Sequence, residues 1–154
     1  MFGRIIDGEM QPNDYGRVVQ ACWNAIPRHF SHVETDVFTV MPNHVHGIMI
    51  LTNRPDVGAT HASPLRKGLP RGPIPHSLGA VVGSFKSAVT KRINVHRNAP
   101  GVPVWHRNYY EHIIRDDAEM HRVREYIAGN PARWLEDEEN PVHFVGATGR
   151  SPIP

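Results

Sequence analysis

The sequence predicts a mixed α and β fold in which short antiparallel strands alternate with amphipathic helices. Three observations predict it: a strand–turn–strand pattern around Asp7-Gly8, a β-branched run that is split by Pro42-Asn43, and helical stretches with one apolar face. The 154 residues are 40% hydrophobic, which is enough for one ordinary core. We therefore expect a single domain over residues 1–154.

The predicted strands fall in three places. Residues 4–10 (RIIDGEM) form a hairpin around Asp7-Gly8. Residues 36–52 give two strands joined at Pro42-Asn43, and the apolar side chains on both faces of Ile48 to Leu51 favour a central strand that is covered on both sides. Val104 to Ile114 is aromatic and β-prone.

Apolar residues at helical spacing predict three longer helices, each with a start signal. The first runs from about Tyr15 to Ile26 behind Asn13 or Asp14, the second from Leu78 to Val95 behind Ser77, and the third from Asp117 to about Gly129. The third helix has Asp116 as N-cap and Glu119 at the capping-box position. Asn130-Pro131 ends it, since a residue before proline resists the helical conformation.

Two segments carry too much proline and glycine for regular structure. Residues 53–76 are predicted as a loop or insertion, and residues 142–154 as a flexible tail.

Charge and cysteine content limit the cellular setting. The formal charge is +2 and the pI is near 8.9, which is compatible with nucleic acid but does not demand it. A single cysteine, Cys22, allows no disulfide within the chain and favours a reducing compartment. Because neither a signal peptide nor a membrane-length apolar run is present, we expect a cytoplasmic protein without membrane contact.

The first candidate site is His44-Val45-His46. Residues i and i+2 of a strand point to the same side, so both imidazoles can reach one metal ion. With eleven histidines in the chain, roughly 0.8 such pairs arise by chance, so the pattern alone is weak. Two interpretations stay open at this point, namely metal ligands and hydrogen-bonded structural histidines.

The second candidate is Tyr126 with Asn130, which lie four residues apart and so share one face of the third helix. They flank the core stripe formed by Met120, Val123 and Ile127. The alternative is a tyrosine at the rim of the core, followed by an ordinary Asn-Pro helix stop.

Phosphodiester transfer unites these residues. A tyrosine can attack phosphorus and keep the 5′-phosphate as a covalent ester, while a divalent ion orients the phosphate. Two imidazoles and one amide oxygen suit Mg²⁺ or Mn²⁺, and Zn²⁺ would bind the imidazoles more tightly.

The Leu78 to Val95 helix and the residues just after it are basic, and an aromatic segment follows them. Its cations could neutralise DNA phosphates, and the aromatic side chains could stack on unpaired bases. A solvated helix face and core aromatics are the respective alternatives, and core is favoured for two of the three aromatics. The residues concerned are Lys86, Lys91, Arg92 and Arg97, and Trp105, Tyr109 and Tyr110.

Three ordered runs carry a family resemblance: VMPNHVHGIMIL, LGAVVGSFKSAVTKRIN and VWHRNYYEHIIRDDAEMHRVREYIAGNPARW. Together they resemble the REP-associated tyrosine transposases, which are single-tyrosine HUH enzymes related to small insertion-sequence transposases. The resemblance spans about residues 4–141. It implies an α+β, ferredoxin-like fold with helices packed on an antiparallel sheet.

The resemblance also implies roles for individual residues. His44 and His46 match the HUH metal ligands, Tyr126 matches the nucleophile, and Asn130 matches the third, helix-borne ligand. Glu111 and His112 match a motif for which a structural role is expected. The implied substrate is single-stranded or hairpin DNA from palindromic repeats in a bacterial cell, bound near the nucleoid by a monomer or a homodimer.

One departure and two alternatives complete the expectations. The chain starts at the hairpin that follows the first strand of the family, so we expect that strand to be missing from the sheet. This motivates a second hypothesis, a hairpin-binding remnant that does not cleave DNA. A third, an unrelated zinc hydrolase built on His44 and His46, lacks the further nearby ligands that it would need.

Overall fold

Four short strands, four α-helices and one 3₁₀ helix make up the part of the chain that the computed structural model describes, namely residues 1–52, 76–106 and 109–141. The predicted loop, apart from its last residue, and the predicted tail lie outside these residues. In chain order the elements are β1 Gly3–Ile6, β2 Glu9–Pro12, α1 Asp14–Asn24, α2 Ile26–His29, β3 Val33–Val40, β4 Val45–Leu51, α3 Leu78–His96, α4 Asp117–Gly129 and the 3₁₀ helix η1 Pro131–Glu136.

The strands form two antiparallel pairs. In the first, β1 pairs with β2 through a two-residue turn in which Asp7 and Gly8 have φ values of 51° and 78°. These positive values explain the Asp-Gly sequence, because few other residues adopt them at low cost. In the second, β3 pairs with β4 across Pro42-Asn43, and Val40 lies opposite Val45. Both predicted strand pairs are confirmed.

The predicted α+β class is confirmed, with helices packed on antiparallel strands. Within the described residues the strands are arranged as two separate pairs rather than one continuous sheet. Two details of the strand prediction were wrong. Residues 104–106 and 109–114 form no strand, and β4 is not covered on both sides, since Leu51 is 45% exposed.

The helix predictions hold with small changes at the ends. Asn13 caps α1 by accepting a hydrogen bond from the Gly16 N–H at 3.1 Å, and Ser77 caps α3 by accepting one from the Ala80 N–H at 3.2 Å. The first helix stops at Asn24, and the separate turn α2 follows it. Among the described residues, no helix is long and apolar enough to cross a membrane.

The core lies between α1, α3 and the β3–β4 pair. Trp23 of α1 stacks on Phe38 of β3 with ring centroids 4.2 Å apart and an interplanar angle of 13°. Its indole also covers Gly47 of β4, where any side chain would collide with it. This aromatic packing fixes the strand that carries His46, since Gly47 is the next residue.

Two contacts hold α4 against β3. The Thr39 hydroxyl donates a hydrogen bond to the Ile127 carbonyl at 3.0 Å, and the Arg124 Nε donates one to Asp36 at 2.8 Å. Ile127 is buried, as its place in the predicted apolar stripe requires. The fold thereby brings the third predicted helix onto the strand pair whose turn leads into the two histidines.

Candidate metal centre and tyrosine

The two histidines meet where the turn after Val40 enters β4. Their Nε2 atoms are 2.8 Å apart, and their rings cross at 89° with centroids 4.6 Å apart. The structure thus brings together the two imidazoles that the alternation of a strand predicted on one side.

Asn43 fixes the orientation of His44. The Asn43 amide nitrogen donates a hydrogen bond to the Glu139 carbonyl at 2.6 Å, so its oxygen faces His44 Nδ1 at 2.8 Å and accepts a hydrogen bond from the Nδ1–H. Neutral His44 therefore presents an unprotonated Nε2 to the site. Since one of the two facing nitrogens must donate, His46 holds its proton on Nε2, and a metal ion bound there would take the place of that proton.

Burial keeps both histidines neutral near pH 7. The pKa of His44 falls from an ordinary value of 6.5 to about 4, mainly through burial and secondly because a protonated His46 would repel its positive charge, while Asp137 opposes the change. Burial also lowers the pKa of His46. Neutral imidazole is the form that binds metal ions, so the pair is in its binding form at neutral pH.

A carboxylate completes the cluster. Asp137 Oδ2 lies 3.8 Å from His44 Nε2. Ligand atoms of His44, His46 and Asp137 all lie within 4.8 Å of one another, which makes this the only such group of three histidine, cysteine or acidic residues in the described part of the chain. The donor set of two imidazoles and one carboxylate fits a divalent cation.

Tyr126 stands beside the histidine pair. Its ring meets His46 edge to face, with centroids 5.7 Å apart and an interplanar angle of 79°. The side chain is 50% exposed, so a large substrate can approach the phenol. The contact is made within one chain and joins α4 to β4.

Asn130 caps the C-terminus of α4, and its side chain is buried at 4% exposure. Its amide Nδ2 has no hydrogen-bond partner among the described residues. Rotating the amide by 180° exchanges nitrogen and oxygen at nearly the same positions, so this side chain can offer an oxygen to a ligand. Within the described residues no hydrogen bond links Asn130 to either histidine.

The chain is similar to one protein of Haemophilus influenzae. The two are 40% identical over 139 residues, which is 90% of this chain and 76% of that protein, and that protein is described as uncharacterized. The chain belongs to the family of that protein. No family model matches the chain, and no solved structure matches it. Membership in this family therefore leaves the activity to be inferred from the site.

Asp137 was not among the predicted site residues, although its side chain is only 12% exposed. The short helix η1 after Pro131 turns the chain back toward the strand pair and brings Asp137 to the histidines. The Trp134 ring of that helix also lies 6.1 Å from the His44 ring.

The four predicted DNA-contacting cations differ in their direction around α3 and in the contacts that they make. At about 100° per residue, Lys91 and Arg92 lie roughly 120–140° around the helix from Lys86 on opposite sides. The Lys86 amine donates to the His106 carbonyl at 2.9 Å, and Arg97 donates to the Val102 carbonyl at 2.9 Å. Lys86 and Arg97 thus also hold the segment after α3 in place.

The prediction placed two of the three aromatic residues Trp105, Tyr109 and Tyr110 in the core, and the structure differs from it. Trp105 packs against Phe2 and Phe85 at centroid distances of 5.2 Å and 5.8 Å. Tyr109 and Tyr110 are 44% and 80% exposed, so one aromatic rather than two belongs to the core. The reason is that this segment is irregular and does not alternate as a strand would.

His112, from the motif without a derived role, supports the start of α4. Its Nε2 is 2.8 Å from Glu119 Oε1, while Glu119 Oε2 accepts the Arg115 N–H at 2.8 Å. These bonds complete the cap made by Asp116, which accepts the Glu119 N–H at 2.8 Å. His112 thereby helps to fix the helix that carries Tyr126.

Proposed function

We propose that this protein cuts and rejoins single-stranded DNA with Tyr126, as a metal-dependent HUH transposase acting beside DNA hairpins. The observation that carries the proposal is the contact between the exposed Tyr126 ring and the His46 ring of the histidine cluster. A nucleophile next to a divalent-cation site is the minimal equipment for phosphodiester transfer. The resemblance to REP-associated tyrosine transposases supports the same assignment.

In the proposed reaction the Tyr126 oxygen forms a bond to phosphorus and the bond from phosphorus to the 3′ oxygen breaks. The phenol loses its proton to solvent, and the released 3′ oxygen gains one. Because the 5′-phosphotyrosine ester keeps the energy of the broken bond, a later 3′-hydroxyl can reverse the step and join a new end. The exchange transfers a strand without an external energy source.

The cation, held by His44 and His46 with Asn130 as the resemblance implies, would polarise a non-bridging phosphate oxygen. Mg²⁺ and Mn²⁺ are the proposed ions. Asn43 orients His44, and the Trp23–Phe38 stack holds the strand that carries His46. The contacts between α4 and β3 keep Tyr126 at its distance from the pair.

Covalent capture tests the proposal. The protein is mixed with labelled single-stranded DNA from the flanks of its own gene, with Mn²⁺ or EDTA, and a slow-migrating adduct is sought after denaturation. We expect an adduct that requires Mn²⁺ and is lost in Tyr126→Phe and His44→Ala. Tyr110→Phe, which changes another exposed tyrosine, should retain it.

The same experiment distinguishes the proposed cleavage from the alternative, a remnant that binds DNA hairpins without cutting them. A folded protein that binds flanking hairpins but forms no adduct under any metal condition would rule out cleavage and favour that alternative. An adduct that survives Tyr126→Phe would move the nucleophile to another residue.

A further inference from the structure

One acid in the run from Glu136 to Glu139 differs from its neighbours. Glu136, Glu138 and Glu139 are exposed, whereas the Asp137 side chain is only 12% exposed and faces the histidine pair. Charged side chains are rarely withdrawn from water unless they are paired or bind a cation. This burial singles out Asp137 from a stretch that otherwise looks like a solvated surface.

The backbone around Asp137 is built to hold this carboxylate. Its Oδ1 accepts the Glu139 N–H at 2.8 Å, and its carbonyl accepts the Asn140 N–H at 2.9 Å. Asn140 is buried and its amide donates to the Trp134 carbonyl at 2.8 Å. With Oδ1 engaged by the backbone, Oδ2 is left directed toward His44.

The same turn is fastened to the strand side of the site. Asn43 donates to the Glu139 carbonyl and accepts from His44, so a single amide connects the turn after Asp137 to the imidazole. Hydrogen bonds from neighbouring residues to a metal-binding side chain orient that side chain and are part of the binding site. Here one residue orients the imidazole and also anchors the segment that supplies the carboxylate.

We propose that Asp137 is a protein ligand of the divalent cation, coordinating it through Oδ2 together with His44 Nε2 and His46 Nε2. This rests on the proposed function only in taking the histidine pair as the metal site. Bonds of about 2.0–2.2 Å place ligand atoms roughly 3–3.5 Å apart around one ion. The separations from His44 to His46 and from His44 to Asp137, 2.8 Å and 3.8 Å, bracket that value, and ligand atoms of all three residues lie within 4.8 Å of one another.

The carboxylate changes which ions the site takes. Two neutral imidazoles and a neutral amide leave the full charge of the ion uncompensated, whereas a carboxylate offsets half of it and supplies the hard oxygen that Mg²⁺ and Mn²⁺ prefer. It would also connect the C-terminal end of η1, the helix that follows α4, to the ion.

Mn²⁺ titration of the full-length chain by calorimetry tests the assignment. Asp137→Asn keeps the size and the oxygen that accepts the Glu139 N–H, and removes the charge. We expect Mn²⁺ affinity to fall by at least about 10–100-fold, the range that loss of even an outer contact costs. Glu138→Gln, its exposed neighbour, should bind Mn²⁺ like the parent protein.

Unchanged Mn²⁺ affinity in Asp137→Asn, or no binding of Mn²⁺ by the parent protein, would overturn the assignment. If Asp137→Asn does not fold in EDTA, a second experiment uses the parent protein labelled with ¹³C in its aspartate carboxyl groups. An infrared difference spectrum with and without Mn²⁺ should then show a shifted aspartate carboxylate band, and its absence counts against Asp137. Asp137-dependent Mn²⁺ binding without a DNA adduct would leave this assignment standing and reject the proposed cleavage.

Discussion

The His46 imidazole and the Tyr126 phenol meet edge to face, with ring centroids 5.7 Å apart. The contact uses the ring of Tyr126 and not its hydroxyl. Tyr126→Phe should therefore change the free energy of unfolding by less than about 0.5 kcal/mol, as exposed substitutions usually do. It should also bind Mn²⁺ like the parent protein while forming no DNA adduct.

Urea denaturation and Mn²⁺ titration beside the capture assay measure the three properties. A large loss of stability in Tyr126→Phe would mean that the tyrosine serves mainly in packing. The absence of an adduct in this variant would then not identify Tyr126 as the nucleophile.

Gly47 should be intolerant of a side chain. An added Cβ would lie 2.5 Å from the Trp23 ring and 2.8 Å from the Phe38 ring, which stack on each other. Gly47→Ala should cost about 1–3 kcal/mol of stability, the usual range for overpacking. Because it shifts the strand next to His46, Mn²⁺ affinity should fall as well. Gly83→Ala, at a helical position with open space around it, is the control and should not lower stability.

The Asp36–Arg124 pair predicts a dependence of stability on pH. The hydrogen bond from Arg124 holds the pKa of Asp36 below its ordinary value of 3.8. A lowered folded-state pKa stabilises the fold above the unfolded pKa, and this contribution is lost as pH falls through the folded pKa.

Asp36→Asn should therefore cost about 0.5–1 kcal/mol near pH 7, and the difference from the parent protein should shrink below about pH 4. Urea denaturation from pH 3 to pH 7 measures it. Glu125→Gln removes an exposed acid from α4, the helix that carries Arg124, and serves as the control. A difference that stays constant over this range would contradict the assignment.

The cap of α4 should contribute measurably to stability. Asp116 accepts the Glu119 N–H, and replacing such a cap with alanine costs about 1 kcal/mol. Asp117→Ala removes the next acid, which makes no cap bond, and should cost less. Thermal unfolding of the two variants compares them, and equal losses would mean that helix-dipole charge, not capping, stabilises this terminus.

Lys91 and Arg97 should differ in their effects on DNA binding and on stability. Lys91 is exposed on α3, so Lys91→Gln should leave stability unchanged and reduce the salt dependence of single-strand binding by about 0.7 in the log–log slope. Arg97→Gln should instead lower stability, because its guanidinium bonds Asn94 and the Val102 carbonyl. An unchanged slope in Lys91→Gln would exclude that residue from the DNA surface.

Local signals in the sequence were sufficient for most elements of the fold. Asp7-Gly8, Asn13, Ser77 and Asp116 each marked a turn or a helix start through chemistry that acts within a few residues, and the structure uses all four as expected. The segment from Val104 to Ile114 misled the prediction because its aromatic composition resembles a strand. Composition cannot tell whether a neighbouring strand is available to pair with it.

The candidate site shows the same limit. Periodicity alone placed His44 and His46 on one side of a strand and Tyr126 on the flank of a helix. Asp137 could not be found in that way, because its position depends on a bond between Asn43 and Glu139, residues that lie 96 positions apart. Such contacts follow from how whole elements pack, and no local pattern records them.

The Asn43–Glu139 bond also sets an order of events during synthesis. The histidines leave the ribosome about 90 residues before the turn that faces them, and closing so long a loop is a late and entropically costly step. Until that turn arrives, the growing chain holds a histidine pair without its carboxylate. The proposed metal site, with its carboxylate, can therefore form only after residues 137–139 have been synthesised.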